Sequence, residues 1–322
     1  MLLIKKSELQ GLLSMEEAIN AVEEAFKKHA IGKSVCPSKI QFVLPGQLWK
    51  WWAFMPCYIE GIGMGVKVVS DYPSEKTPKK PTISATSVLC DESSGDIKAV
   101  MDGAYLTALR TGAIGGIAAK YLSRKDSEVV GLIGCGVQGR MQLEGVKQVR
   151  EIKRVLVSDV NKASIASFKK DMEARLKVSI EETSVQELAK NSDIIITATS
   201  SRAPVLLGEW VGNGTHITSV GAHTSDAREL DYHLIKKSKV VIDSQDALKS
   251  GDLKNPLEDF FIKADELTEI KDVINGKRIR KDIDDITLFK TVGTALQDVA
   301  VSALAYKKAK ATGLGTEIDL GK

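Results

Sequence analysis

From residue 128 onward the apolar positions fall into short runs at regular intervals, at 129–133, 155–157, 194–197, 216–220, 240–242 and 286–289. Polar stretches of helical length separate them. Runs of this kind read as strands buried on both faces. Six such strands alternating with helices predict a doubly wound α/β domain with a parallel sheet.

Before residue 128 the pattern changes. Ser14 and Glu17 form a capping box, and Met15, Ala18, Ile19, Val22 and Phe26 follow at helical spacing. They predict a helix to about Ile31, ended by Gly32. Segments 40–43, 49–55, 65–70 and 83–90 read as strands, separated by turns such as Pro45-Gly46 and Ser93-Ser94-Gly95-Asp96. The first third is therefore expected to be a helix followed by an antiparallel meander. Segment 104–122 reads as a long helix of small residues that bridges into the second domain. Segment 294–309 reads as an amphipathic helix returning to the first. The predicted domains are 1–118 with 294–322, an α+β unit, and 119–293, the doubly wound unit.

Composition narrows the function classes. The chain has 322 residues, 43% of them hydrophobic, and a formal net charge of +3. That supports a well-buried core and gives no reason to expect nucleic acid as a partner. The Trp49-Lys50-Trp51-Trp52 run has no basic patch around it and reads as core or dimer-interface packing. No apolar run is long enough to span a membrane. The N-terminus lacks the charge order and apolar core of a signal peptide. Cys36, Cys57, Cys90 and Cys135 are scattered with no CxxC spacing, so no metal site is expected and the plain reading is cytoplasmic free thiols.

The chemistry concentrates at Gly134-Cys135-Gly136-Val137-Gln138-Gly139. An apolar run leads into it, helix-compatible sequence follows, and a second apolar run ends at Asp159. That is the order of a Rossmann dinucleotide-binding unit. Gly134 permits the tight turn. Gly136 lets the backbone approach a pyrophosphate seated on helix N-terminal amides. Gly139 allows close helix–strand packing, and Asp159 is placed to accept the ribose hydroxyls. Outside the turn, Lys67 lies in an apolar strand with no acid adjacent. Arg110 lies in a helix of small residues, where an unpaired guanidinium would be costly.

The segments 109–113, 134–138 and 228–231, with Val292-Gly293 and 297–300, resemble the ornithine cyclodeaminase/μ-crystallin family across essentially the whole chain, nearest its archaeal alanine dehydrogenase and ketimine (pyrroline-2-carboxylate) reductase branches. The resemblance implies a homodimer built through the non-Rossmann domain and a nicotinamide cofactor. It also implies a small α-amino or α-imino acid as substrate. By matching position, Lys39 and Lys67 bind substrate, and Thr82 and Arg110 face the cofactor or the substrate carboxylate. Val137, Gln138 and Asp159 hold the dinucleotide, Thr199, Ser200, Ser201, Val220, Gly221 and Ala222 line it, and Thr291 and Val292 close the site.

One position departs from the pattern. Where the cyclodeaminase branch has an aspartate two residues after the glycine of the Val220-Gly221 pair, this chain has His223. Ornithine cyclisation needs a carboxylate to organise its second amine. Simple imine reduction does not, and a histidine can shuttle protons near neutral pH. The expected activity is NAD(P)-dependent interconversion of a ketimine or α-keto acid with the L-amino acid, with Lys67, Arg110 and His223 as catalytic residues. The alternatives are ornithine cyclodeamination and a non-catalytic nucleotide-binding crystallin role. Asp159 favours NAD by repelling a 2′-phosphate; Asn161 and Lys162 just beyond it leave NADP open.

Overall fold

The computed structural model describes residues 1–45, 47–72, 83–319 and 321. Thr82, Gly46 of the Pro45-Gly46 turn, and the side chain of Trp49 lie outside the described residues. The chain divides into two compact units, Met1–Arg110 with Thr294–Lys322, and Thr111–Gly293.

The first unit opens with β1 (Leu2–Ile4), α1 (Lys6–Leu9) and α2 (Met15–Ala30). The Ser14 hydroxyl accepts from the Glu17 amide at 3.2 Å, and the Glu17 carboxylate accepts from the Ser14 amide at 2.9 Å. Gly32 then takes φ 75° just past the helix, a left-handed turn that glycine adopts without strain. Six strands follow: β2 (Ser34–Val35), β3 (Ile40–Leu44), β4 (Gln47–Ile59), β5 (Gly63–Asp71), β6 (Ile83–Cys90) and β7 (Ile97–Asp102). Helix α3 (Gly103–Leu122) leaves this unit, and α10 (Ala295–Thr312) and β16 (Thr316–Glu317) return to it. The sheet order is β16-β1-β7-β6-β5-β4-β2, with β3 also paired to β4.

Two expectations need correction here. The sheet is not a pure antiparallel meander, because β1 pairs parallel to β7; a three-residue strand at the terminus carries too little pattern to be read. And α10 is not amphipathic: every residue from Ala295 to Ser302 is buried. It packs against α2 and against the β4, β5 and β6 face, so its first two turns are enclosed on all sides.

The second unit contains β8 (Val129–Ile133), α4 (Val137–Lys147), β9 (Arg154–Ser158), α5 (Lys162–Leu176), β10 (Ser179–Glu182), α6 (Val185–Lys190), β11 (Ile194–Thr197) and β12 (His216–Ser219). It continues with α7 (Tyr232–Lys237), β13 (Lys239–Ile242), α8 (Gly251–Glu258), β14 (Thr268–Glu269), α9 (Ile270–Ile274) and β15 (Thr287–Lys290). All strands are parallel, in the order β10-β9-β8-β11-β12-β15-β13-β14. Eight strands replace the expected six. The added β10 and β14 lie at the two edges; only Ile180 of β10 is buried, so neither carries a long apolar run. The strand order reverses between β8 and β11, and the loops after these two strands open at that switch point, where ligands bind in doubly wound sheets.

The small residues of α3 serve close packing on α4. A Cβ on Gly145 would overlap the carbonyl of Gly112, and one on Gly115 would overlap the Gln142 amide. Gln142 in turn donates to the Thr111 carbonyl at 2.5 Å. Among the described residues no helix is long and apolar enough to cross a membrane, and no group of three potential metal ligands forms.

Candidate active site

In the second unit, the turn after β8 is held by close backbone contact. Gly134 has φ 104°, and a Cβ there would overlap the carbonyl of Ala198 in the loop after β11. A Cβ on Gly139 would overlap the Gly134 carbonyl. Gly136 is different: a Cβ there meets nothing within 4 Å. It is the N-cap of α4 and supplies no side-chain cap, and the first turn holds no acidic residue. The Val137 side chain is 63% exposed. An eleven-residue helix thus presents uncapped amides to an open space at the switch point, which fits a pyrophosphate. The Gln138 Oε1 is buried without a protein partner, an acceptor that a bound nucleotide would satisfy.

Asp159 at the end of β9 accepts from the Cys135 amide at 2.7 Å through one oxygen and from the Asn161 amide at 2.8 Å through the other. Each oxygen keeps a further lone pair for a ribose hydroxyl. Asn161 caps α5 through the Ala163 amide at 2.9 Å, and Lys162 is ion-paired to Glu182. Burial pushes the Cys135 thiol up to about 12, which keeps it unreactive beside the turn.

The loops after β11 and β12 are joined by Glu229, a fully buried acid to which sequence reading gave no role of its own. Its carboxylate accepts from the hydroxyls of Thr197 and Thr199 at 2.9 Å and from the Thr199 amide at 2.7 Å. It also accepts from the Ser219 hydroxyl at 3.1 Å and the Gly221 and Ala222 amides at 2.8 and 3.3 Å. Thr199 and Gly221 are pressed so close that a Cβ on Gly221 would overlap the Thr199 carbonyl. Ser201 donates its amide to the Thr199 hydroxyl at 3.2 Å, Ser200 is exposed and Val220 is buried. A buried Lys290–Asp252 pair at 2.8 Å supports this network through the Ser219 hydroxyl. His223 is half-buried, its Nδ1 3.0 Å from the Gly221 carbonyl oxygen. The Thr291 hydroxyl is engaged within the protein. It donates to Asp243 at 2.6 Å, and the same carboxylate oxygen accepts from the Val292 and Gly293 amides at 3.0 and 2.7 Å.

The first unit holds a separate charged cluster. The residues of β5 alternate strictly, and Lys67 falls on the core face together with Gly65 and Val69. Only 2% of Lys67 is exposed. Its Nζ lies 2.7 Å from Asp298 Oδ2 on the first turn of α10. Arg110 Nε donates to Asp298 Oδ1 at 3.0 Å, and Arg110 Nη1 donates to Gln297 Oε1 at 2.9 Å. Arg110 therefore has the partners that burial of a guanidinium demands; they are Asp298 and Gln297, which sequence reading placed in a resemblance segment without assigning them a role. The Gln297 Nε2 is buried with no protein acceptor. Lys39 is half-buried and near enough to weigh on Lys67.

Burial lowers the Lys67 ammonium to about 7; Asp298 opposes this, and Arg110 and Lys39 reinforce it. Lys67 and Arg110 at one carboxylate, with Lys39 adding its charge nearby, leave an excess of positive charge, which suits a small carboxylate ligand. A lysine that titrates near neutrality in that field is equipped for proton transfer.

A doubly wound fold with a glycine turn at its switch point, joined to a unit carrying a buried lysine–arginine–aspartate cluster, is the build of a nicotinamide-dependent oxidoreductase. Residues 1–313 match the ornithine cyclodeaminase/mu-crystallin family, and the chain belongs to it. It is 38% identical to the alanine dehydrogenase of Archaeoglobus fulgidus over 322 residues, 98% of either chain. The structure resembles Thermococcus litoralis Δ1-pyrroline-2-carboxylate reductase in complex with NADH and L-proline, with a TM-score of 0.95 and 40% identity over 99% of this chain and 100% of that one. It also resembles an archaeal alanine dehydrogenase dimer with bound NAD, with a TM-score of 0.94 and 37% identity over 99% of each chain.

Proposed function

We propose that this protein is an NAD-dependent oxidoreductase that interconverts a small α-imino or α-keto acid and the corresponding L-amino acid, as a ketimine (pyrroline-2-carboxylate) reductase or an alanine dehydrogenase. The observation that carries this reading is the buried Lys67–Asp298–Arg110 cluster, in a chain whose other unit has an open, uncapped α4 N-terminus. The relatives that bind NADH with L-proline, or NAD alone, support it.

When bound, the nicotinamide supplies or accepts the hydride. Gly134, Gly136 and the first amides of α4 would hold the pyrophosphate, Asp159 the ribose, and the loops at Thr199–Ser201 and Val220–Ala222 the remainder. NAD is preferred to NADP because Asp159 is a carboxylate, while Asn161 and Lys162 are committed elsewhere.

Arg110, oriented by Asp298 and Gln297, binds the substrate carboxylate with help from Lys39 and from Gln297 Nε2. Fixing the carboxylate fixes the α-carbon, and such positioning lowers barriers by several kcal/mol, up to ~10. Lys67 gives a proton to the substrate nitrogen as an imine is reduced and takes one back as an amine is oxidised. His223 is a second proton carrier. Its presence in place of an acid favours imine reduction over ornithine cyclisation. We further propose a cytoplasmic homodimer formed through the first unit, where Ile40, Phe42 and Val43 of β3 are exposed.

The test is to follow NADH oxidation with Δ1-pyrroline-2-carboxylate alone and, separately, with pyruvate plus ammonia. Turnover with the cyclic imine alone identifies a ketimine reductase; turnover only with pyruvate plus ammonia identifies an alanine dehydrogenase. Silence with both, alongside ammonia release from ornithine, would overturn the reading.

A further inference from the structure

Cys36 and Cys57 form no sequence motif, but the strands bring them together. The antiparallel pairing of β2 with β4 sets Ser34 opposite Ile59 and Val35 opposite Tyr58. β2 ends at Val35, and continuing its register one residue further brings Cys36 opposite Cys57. Directly opposed residues of an antiparallel pair have Cα atoms ~4.5–5.5 Å apart, inside the ~4.4–6.8 Å range that a disulfide spans. Opposed side chains share a face, and each thiol weighs on the titration of the other. Both are reduced.

The two sulfurs are not equivalent. Cys57 is 3% exposed, and its Sγ also donates to the Tyr58 carbonyl at 3.6 Å. Cys36 is half-buried, and the backbone amides of Ala295 and Leu296, the first residues of α10, favour its thiolate. The Thr294 N-cap makes no side-chain hydrogen bond to that helix. Amides at a helix N-terminus and a donating thiol both favour a thiolate. Burial and the nearby Asp298 carboxylate oppose it, yet the balance lowers Cys36 from its ordinary range and raises Cys57.

We propose that Cys36 and Cys57 are a redox-active dithiol site whose reagent is a hydroperoxide, with Cys36 the attacking and Cys57 the resolving thiol. The Cys36 thiolate attacks one oxygen of hydrogen peroxide. An S–O bond forms, the O–O bond breaks, and the departing hydroxide takes a proton to become water. Cys57 Sγ then attacks the sulfenic sulfur. An S–S bond forms, the S–O bond breaks, and the hydroxyl leaves with the Cys57 proton as a second water. Two electrons pass from the thiol pair to the peroxide. The dithiol chemistry does not require the activity proposed above, although Asp298 of that cluster lies near both thiols.

The experiment titrates the fully reduced, desalted protein with hydrogen peroxide, followed by intact mass and a non-reducing peptide map. The expected result is a fall from four thiols to two per chain and a mass loss of two hydrogens. The map should show a peptide linking Cys36 to Cys57 that dithiothreitol reverses. Cys36 should react about tenfold faster than Cys90 or Cys135. In Cys57→Ser the reaction should stop at a Cys36 sulfenic acid that dimedone traps; in Cys36→Ser no crosslink should form. A linkage through Cys90 or Cys135 would overturn the proposal. So would Cys36 reacting no faster in the folded chain than in guanidinium, or passing to sulfinate without engaging Cys57.

Discussion

Lys67 holds its ammonium 2.7 Å from Asp298 with almost no solvent contact, and burial brings its titration to about 7. Its protonation should therefore govern the rate in opposite senses. Reduction of an imine needs the charged form, so kcat should fall as pH rises through about 7; oxidation of the amino acid needs the neutral form and should rise over the same range. Stability follows the same group. Between about 7 and the ordinary lysine value near ~10.4, the unfolded chain holds a proton that the folded chain does not, so stability rises with pH across that window. Lys67→Met should abolish both effects and lower kcat about 10²–10⁴-fold. NADH affinity, measured by fluorescence titration, should be unchanged, because the cofactor residues belong to the other unit. Asp298 keeps Arg110 as partner in this variant, so no unpaired buried carboxylate results. Full activity in the variant would remove Lys67 from the mechanism. The lysine itself was legible in the sequence, as a charge inside an apolar strand. Its partner was not, because strand periodicity gives the face a residue occupies and says nothing about which distant helix covers that face.

At the level of elements, the glycine turn was legible because three physical demands fall at fixed spacing. The structure separates those demands. Gly134 and Gly139 are glycine because backbone carbonyls leave no space for a Cβ, whereas Gly136 faces open space. Gly136 has φ −77° and ψ −164°, extended backbone that any residue adopts. Gly136→Ala should then leave the melting temperature nearly unchanged while weakening NADH binding about tenfold or more, since the methyl group occupies the approach of the pyrophosphate. Gly139→Ala should do the reverse of that first effect and destabilise the fold, because α4 must move off β8. Calorimetry with and without NADH distinguishes the two. If Gly136→Ala binds NADH like the parent, the open space is not the pyrophosphate site. What the pattern hid at this scale were β10 and β14, edge strands too short and polar to register, and the buried first turns of α10. Burial of Gln297, Asp298 and Ser302 on that helix reflects enclosure from several sides, which no single helical face predicts.

For the whole molecule, the exposed apolar residues of β3 raise the question of what covers them. Ile40, Phe42 and Val43 are 64%, 47% and 46% exposed, and Phe42 stacks on Phe54 of β4 with ring centroids 6.3 Å apart. A β-strand that leaves this much apolar surface in water is suited to a protein interface. The dimer of the archaeal alanine dehydrogenase gives a precedent for a second copy of the chain. Sedimentation at micromolar concentration should accordingly find a dimer. Phe42→Glu should weaken it: losing a buried aromatic and placing a charge in its stead costs about 3 kcal/mol or more per subunit, at least roughly a hundredfold in Kd. Phe42→Leu should stay dimeric, which separates loss of the interface from loss of the Phe42–Phe54 stack. Unit two does not contain this strand, so Phe42→Glu should still bind NADH. A monomeric parent protein would overturn the dimer, and a fully dimeric Phe42→Glu variant would place the subunit contact elsewhere than β3.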